Sequence, residues 1–298
     1  MDAAASAEGV PPRGAGSRLL LPSDDAEEWA RVVEVLSDQP LQRLADLDVI
    51  QTKFAAADGE PRVGSFFETI PGSVEAGKFN FEEFLAHGAP LMVAVALEMP
   101  TLFDGVELPI FKSRSAWEGS AQFVTRSVSL TRRQCACLLA HSCFGSLKRP
   151  AGVHPNDFRF TAVDLFIGTA VTPNSATVLL NYFTVLGRDG IPEDEHVSFE
   201  RYGYCKGPSP WTWDENTKPL CKVKLTDGSI SRRWSMIDDC QADVHVEFAN
   251  CFPGGGVMSG DAAQEETLFL VKPELMVAMA LMNRMVDEEV VGIRGAVK

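Results

Sequence analysis

Residues 243–256 read Asp243-Val-His-Val-Glu-Phe-Ala-Asn-Cys-Phe-Pro-Gly-Gly-Gly256, and Gln264-Glu265-Glu266 follows shortly after. Val244, Val246 and Phe248 alternate with Asp243, His245, Glu247 and Ala249. That period of two puts apolar side chains on one face of a strand, so a strand is predicted over residues 243–249. Three glycines then end it. Beyond them the pattern predicts a helix with Pro273 in its first turn and Leu275, Met276, Met279, Met282 and Met285 on one face. We read that face as core packing rather than as an adaptable methionine surface. Val290, Val291 and Ile293 predict a second short strand. Strand, glycine loop, helix and strand make a βαβ unit, and ligands of such folds sit beyond the carboxyl ends of the strands.

Upstream the period is helical. Residues 1–22 are rich in Ala, Gly, Ser and Pro without an apolar period and read as a disordered tail. Ser23 is the expected N-cap of a helix through Trp29, Val32, Val33 and Leu36, and Asp24 and Asp25 suit the positive end of its dipole. Residues 60–200 are expected to be mostly helical. Pro90 suits the first turn of a helix reaching Met99 and stopped by Pro100. Thr131 and Gln134 have capping-box spacing, and Cys135–Phe144 is apolar nearly all round, with Gly145 as the stop. Asn174 and Ser175 can cap a helix through Val178, Leu179, Tyr182, Phe183 and Leu186, ended by Gly187. After about residue 195 strands take over. Val197, Phe199 and Tyr202 form one run, Leu220–Leu225 alternates, and Asp227-Gly228 is a hairpin signal.

Composition narrows the function. The chain has 298 residues, 27 Lys+Arg against 41 Asp+Glu, and a net charge of −14. No basic stripe suits duplex nucleic acid, no apolar run is long enough to cross a membrane, and no secretory signal is expected. An anionic ligand therefore has to be met by local backbone dipoles, because the summed field repels it. The cysteine count is odd, seven, and the default reading is free intracellular thiols. Cys137 and His141 share a helix face with metal-ligand spacing, but zinc needs about four ligands and no second pair is in sight. A buried helix with small soft side chains is the simpler reading.

Three glycines at a strand end let backbone approach a ligand, and their amides can form an anion site, although three glycines alone also make a plain turn. A dinucleotide fingerprint fails because Gly260 is followed by no immediate helix, and a phosphate loop fails because no Lys follows the glycine loop before Lys272. Glu265 and Glu266, if close to the loop in a partly dry site, crowd negative charge, so one of them holds a proton for donation. Such an acid can protonate the leaving oxygen of a glycosidic bond. Gln264 can orient a carboxylate or a ribose hydroxyl. A solvated pair ahead of a helix is the bland reading of Glu-Glu by itself.

Together these signals are more specific. Gly-Gly-Gly-x7-Gln-Glu-Glu preceded by Val-Glu-Phe-Ala-Asn resembles the signature of the poly(ADP-ribose) glycohydrolase family. Val128–Ala140, Ala176–Phe183, Val197–Arg201 and Phe269–Leu275 also look like segments of that family. The resemblance implies an α/β protein with an N-terminal helical accessory domain over 23–194. A partial macrodomain-like mixed sheet flanked by helices follows over 195–298 as the catalytic domain. It implies hydrolysis of ribose–ribose bonds in poly(ADP-ribose), releasing ADP-ribose, with no metal and no cofactor.

Carried over by position, Glu266 is the catalytic acid and Glu265 its ribose-positioning neighbour. Gln264 and Asn250 match substrate contacts. Gly254, Gly255 and Gly256 lie against the distal ribose and diphosphate, and Ile237 and Asp238 fall where the family holds adenine. The implied partners are poly(ADP-ribose) or ADP-ribosylated proteins, in nucleus or cytoplasm, in the response to DNA damage.

Two departures from the pattern set further expectations. Glu247, grouped with the catalytic residues, stands where the family usually has Asp. The chain ends at Lys298, about thirty residues past Glu266, before the family's further strands, adenine-stacking aromatic and second glycine-rich loop. The alternative is accordingly a non-catalytic binder of ADP-ribose or polymer ends, or an inactive fragment.

Overall fold

Thr131 ends a strand and caps a helix at once, and the centre of the molecule is organised around that residue. Its hydroxyl accepts from the Gln134 amide at 3.1 Å, and the Gln134 side-chain oxygen accepts from the Thr131 amide at 2.8 Å. This reciprocal cap satisfies two donors that the first helical turn would otherwise leave open. The computed structural model describes residues 18–58, 79–111, 124–148, 160, 162, 173–203, 245–247, 249–259, 261, 263–286 and 289–297.

In chain order, a 3-10 turn (Pro22–Asp24) leads to α1 (Ala26–Asp38) and α2 (Leu44–Asp58). Then α3 (Phe81–Glu83) runs through a π-helical turn (Phe84–Gly88) into α4 (Ala89–Leu97) and α5 (Met99–Leu102). β1 (Val124–Thr131) feeds α6 (Arg132–Phe144), followed by α7 (Pro173–Asp189) and β2 (His196–Gly203). The last part holds a 3-10 turn (Val257–Ser259), α8 (Gln264–Val271), a second 3-10 turn (Pro273–Val277), α9 (Ala278–Leu281) and β3 (Glu289–Arg294).

The predicted capping box of α6 and its Gly145 stop are present, Gly145 lying at φ 74. The helix is buried on almost every side, as a helix without a polar face must be. His141 sits inside it with Nδ1 2.7 Å from Ser146 Oγ and Nε2 3.0 Å from the Ala96 carbonyl. Burial lowers its pKa to about 4. Both ring nitrogens are thus engaged within the core, and the neighbouring Cys137 thiol is pushed up by burial.

Several helix ends differ from expectation. Asp25, not Ser23, caps α1, accepting from the Glu27 and Glu28 amides at 2.9 and 3.1 Å. Ser23 lies inside the preceding 3-10 turn, where Pro22 starts a separate local bend. Pro100 does not stop the chain but opens α5, since a proline lacks only a donor that a first turn leaves free anyway. Gly187 does not end α7, which runs on to Asp189 ahead of Gly190 at φ 88. A side chain at Gly187 would put its Cβ 2.2 Å from the His87 carbonyl oxygen, so glycine there serves close packing against the π-turn. Residues 1–17 lie outside the described residues. Leu19 and Leu21, at the end of the expected tail, are buried, and the Leu19 amide donates to the Leu108 carbonyl at 2.9 Å.

The described sheet has three strands in the order β1-β2-β3, all antiparallel, with Val128 opposite Phe199 and Phe199 opposite Ile293. β1 lies within a region expected to be helical. The βαβ unit does not form among the described residues: residues 245–247, 249 and 250 are irregular and Val246 is 72% exposed. A strand needs a ladder for its amides and carbonyls. Here the Asn250 amide goes to a glutamate side chain and the Cys251 carbonyl to the Met285 amide, while β3 pairs with β2 instead. The expected helix from Pro273 is a 3-10 turn running into α9, with Leu275, Met276, Met279 and Met282 buried as predicted and Met285 outside it. The strand and hairpin expected over 220–228 lie outside the described residues. No described helix is long and apolar enough to cross a membrane.

Candidate active site

The glycine bend is built by short-range bonds. The Gly255 amide donates to the Phe252 carbonyl at 2.9 Å, Val257 to Gly254 at 3.0 Å, and Ser259 to Gly256 at 2.8 Å. Gly254 and Gly255 take φ 81 and 51, a left-handed conformation that disfavours a Cβ. Asn250 stabilises the entry, its Oδ1 accepting from the Phe252 amide at 3.1 Å.

The bend closes onto the first turn of α8. Glu265 Oε1 accepts from the Gly254 amide and Oε2 from the Asn250 amide, both at 2.7 Å. Glu266 Oε1 accepts from the Gly256 amide at 3.0 Å. Both glutamates are buried, each 7% exposed. Glu266 Oε2 is buried with no hydrogen-bond partner. A Cβ on Gly255 would fall 2.2 Å from Glu266 Oε1, so only glycine lets the acid come this close. Burial pushes the Glu265 carboxyl above the usual carboxylate range; the Asn250 and Gly254 amides oppose that, and the charges of Glu266 and Glu247 add to it. The amides of Gly254, Gly255 and Gly256 are thus already taken by carboxylates or by the turn. The loop serves here as a seat for the two acids rather than as an open anion cradle.

Gln264 and Glu247 lie at the rim, with Gln264 Nε2 3.4 Å from Glu247 Oε1. The structure therefore brings together Glu247, Asn250, Gly254, Gly255, Gly256, Gln264, Glu265 and Glu266. Ile237 and Asp238 lie outside the described residues. The glutamates occupy the first turn of α8, an element the sequence pattern did not announce because its apolar residues follow no clear stripe. Three further residues shape the site. Phe269 and Met279 back the loop, since a Cβ on Gly254 would lie 2.9 Å from each. Asp261 covers Gly256, where a Cβ would meet its Oδ2 at 1.9 Å. In the sequence Met279 was visible only as a core position and Phe269 only as the start of a family-like segment, and Asp261 carried no signal.

A model described as "Poly (ADP-ribose) glycohydrolase (PARG), helical domain" matches residues 77–201. A second, described as the macro domain fold of the same glycohydrolase, matches residues 211–298. Among curated proteins, poly(ADP-ribose) glycohydrolase 1 of Caenorhabditis elegans is 31% identical over 171 residues, 57% of this chain and 20% of that protein. Poly(ADP-ribose) glycohydrolase 1 of Arabidopsis thaliana is 36% identical over 102 residues, 34% of this chain and 17% of that protein. Poly(ADP-ribose) glycohydrolase 2 of Caenorhabditis elegans is 29% identical over 170 residues, 57% of this chain and 32% of that protein. The chain thus spans between about a sixth and a third of the length of these relatives.

Proposed function

Because the chain belongs to the poly(ADP-ribose) glycohydrolase family, with that family's helical domain and macro domain fold, we propose that it hydrolyses ribose–ribose glycosidic bonds of poly(ADP-ribose). Its product is ADP-ribose and its substrate is the polymer, free or on modified proteins, in nucleus or cytoplasm. The observation that carries this reading is the pair of buried glutamates seated on the glycine bend, one of them with an unpartnered oxygen.

The two acids divide the work according to what holds them. Glu265 has both oxygens committed to backbone amides, which keeps its carboxylate in place to accept from ribose hydroxyls. Glu266 has one oxygen anchored at Gly256 and the other open. Oε2 gives its proton to the leaving oxygen as the bond from the anomeric carbon breaks and positive charge develops on the ribose ring. Water then adds to that carbon, and its surplus proton returns to the Glu266 carboxylate. Gln264 and Glu247, at the rim, orient the sugar.

The test is release of ADP-ribose from polymer by the purified chain and by Glu266→Gln. The glutamine keeps the shape and the amide contact but has no proton to give. Release is expected to fall about a thousandfold, with thermal unfolding unchanged. Equal release by both proteins would exclude the assignment. Heat of binding to ADP-ribose without any turnover of polymer would replace hydrolysis by binding alone.

A further inference from the structure

We propose that Arg132, in the helical domain, is a positioning residue for the acid helix α8 and acts through Glu274. The inference rests on the reading of Glu266 as the general acid.

Arg132 and Glu274 are 2% and 0% exposed. Arg132 Nη1 donates to both Glu274 oxygens, at 2.7 and 2.9 Å. Its Nε donates to Glu195 at 2.6 Å and its Nη2 to the Gly295 carbonyl at 2.9 Å. Glu274 also accepts from the Val297 amide at 3.2 Å and from the Tyr182 hydroxyl at 3.4 Å. One carboxylate is thus fixed by groups from α6, α7 and the segment after β3.

Glu274 is the second residue of the 3-10 turn that follows α8, and the joint between them has no slack. The Lys272 amide donates to Leu268 at 3.0 Å and the Leu275 amide to Lys272 at 2.9 Å. Residues Met276–Leu281 beyond it are all buried. Fixing Glu274 therefore fixes the carboxyl end of α8. Eight residues of α-helix span about 12 Å, and the opposite end carries Glu265 and Glu266. A stiff rod held at one end transmits a tilt to the other. There the acids meet the Gly254 and Gly256 amides at 2.7 and 3.0 Å, distances with little room for displacement.

A merely structural ion pair would predict a different result from one that aims the acids. Replacing a buried pair by apolar residues of similar volume commonly preserves stability, so Arg132→Met combined with Glu274→Leu removes the aiming without leaving a bare charge. Two readouts are taken on the full chain. Amide hydrogen exchange at Gly254 and Gly256 reports the seat of the acids whether or not the protein turns over polymer. It is expected to quicken about tenfold while amides inside α4 and α6 keep their protection. In turnover of polymer, kcat is expected to fall about a hundredfold with KM little changed.

Unchanged exchange at both glycines in the folded double variant overturns the proposal. Quickened exchange in a chain whose parent shows no turnover leaves the positioning role standing and removes the hydrolase reading instead. Glu274→Gln, which keeps the shape and loses the charge, is the second variant and is expected to show the same local loosening. Loss of the whole fold in both variants also overturns the proposal, because the pair would then hold the domain and not the helix.

Discussion

Glu274 and Glu265 are both buried carboxylates whose pKa is pushed up first of all by desolvation, yet they are held by opposite means. Glu274 faces the guanidinium of Arg132. Glu265 and its neighbour Glu266 face peptide N–H groups, and among the described residues no basic side chain pairs with either. The Arg132 guanidinium opposes that push on Glu274, because losing the carboxylate charge would strand the cation. Peptide N–H groups also favour the carboxylate, but they carry no net charge to be stranded if the group takes up a proton. On the proposed function, that difference separates an acid used for architecture from the acids that do the chemistry.

The largest effect that could break this contrast is expected from Arg132→Ala alone. It leaves Glu274 buried without its cation, and denaturant unfolding is expected to show a loss of about 3–5 kcal/mol. A loss below about 1 kcal/mol would mean that water already screens the pair, and the contrast would disappear. Next comes Gly255→Ala. The methyl group meets Glu266 Oε1 in a backbone conformation that disfavours it. Turnover of polymer is expected to fall about a hundredfold, with about 1–2 kcal/mol of stability lost. Full activity in that variant would show that the acid does not need its seat.

A pH series sharpens the comparison further. The folded pKa of Glu265 lies above its ordinary value of 4.5. Its favourable contribution is therefore complete below that value and is lost as pH rises through the folded pKa. Glutamine at this position has no such loss. Melting temperatures of wild type and Glu265→Gln are expected to shift in the variant's favour as pH rises above 4.5. A gap independent of pH would show that burial does not raise this group. The smallest effect is expected from Tyr182→Phe, which removes only a long 3.4 Å bond to Glu274. Its cost is expected to stay below about 1 kcal/mol in denaturant unfolding. A larger cost would shift credit for holding Glu274 from the arginine to the tyrosine.

The parts of the fold that could be read in advance are those encoded by neighbours in sequence. Thr131, Gln134 and Gly145 mark both ends of α6 because caps act over three or four residues. The seating of Glu265 and Glu266 on the glycine bend was legible only as a pattern of residue types. Nothing periodic connects Gly254 with a side chain eleven positions away. β1 was missed because only Val128 and Leu130 stand out in Val124–Thr131, and Arg126 interrupts the apolar alternation of the sequence. Of the strand expected over 243–249, residues 245–247 and 249 are described and are irregular, and just beyond them the Asn250 amide and Cys251 carbonyl bond to Glu265 and Met285 rather than to a neighbouring strand. Arg132 and Glu274 were invisible, being 142 residues apart in a chain full of charged side chains.

The double duty of Thr131 sets a limit on how this architecture can vary. Strand and helix share that residue, so there is no connecting loop to absorb a change in length. One amino acid inserted after it would turn the whole of α6 by about 100° about its axis. Arg132 would swing off its partner and the apolar flank of the helix would rotate out of register with its surroundings. At this junction the sequence has no spare length.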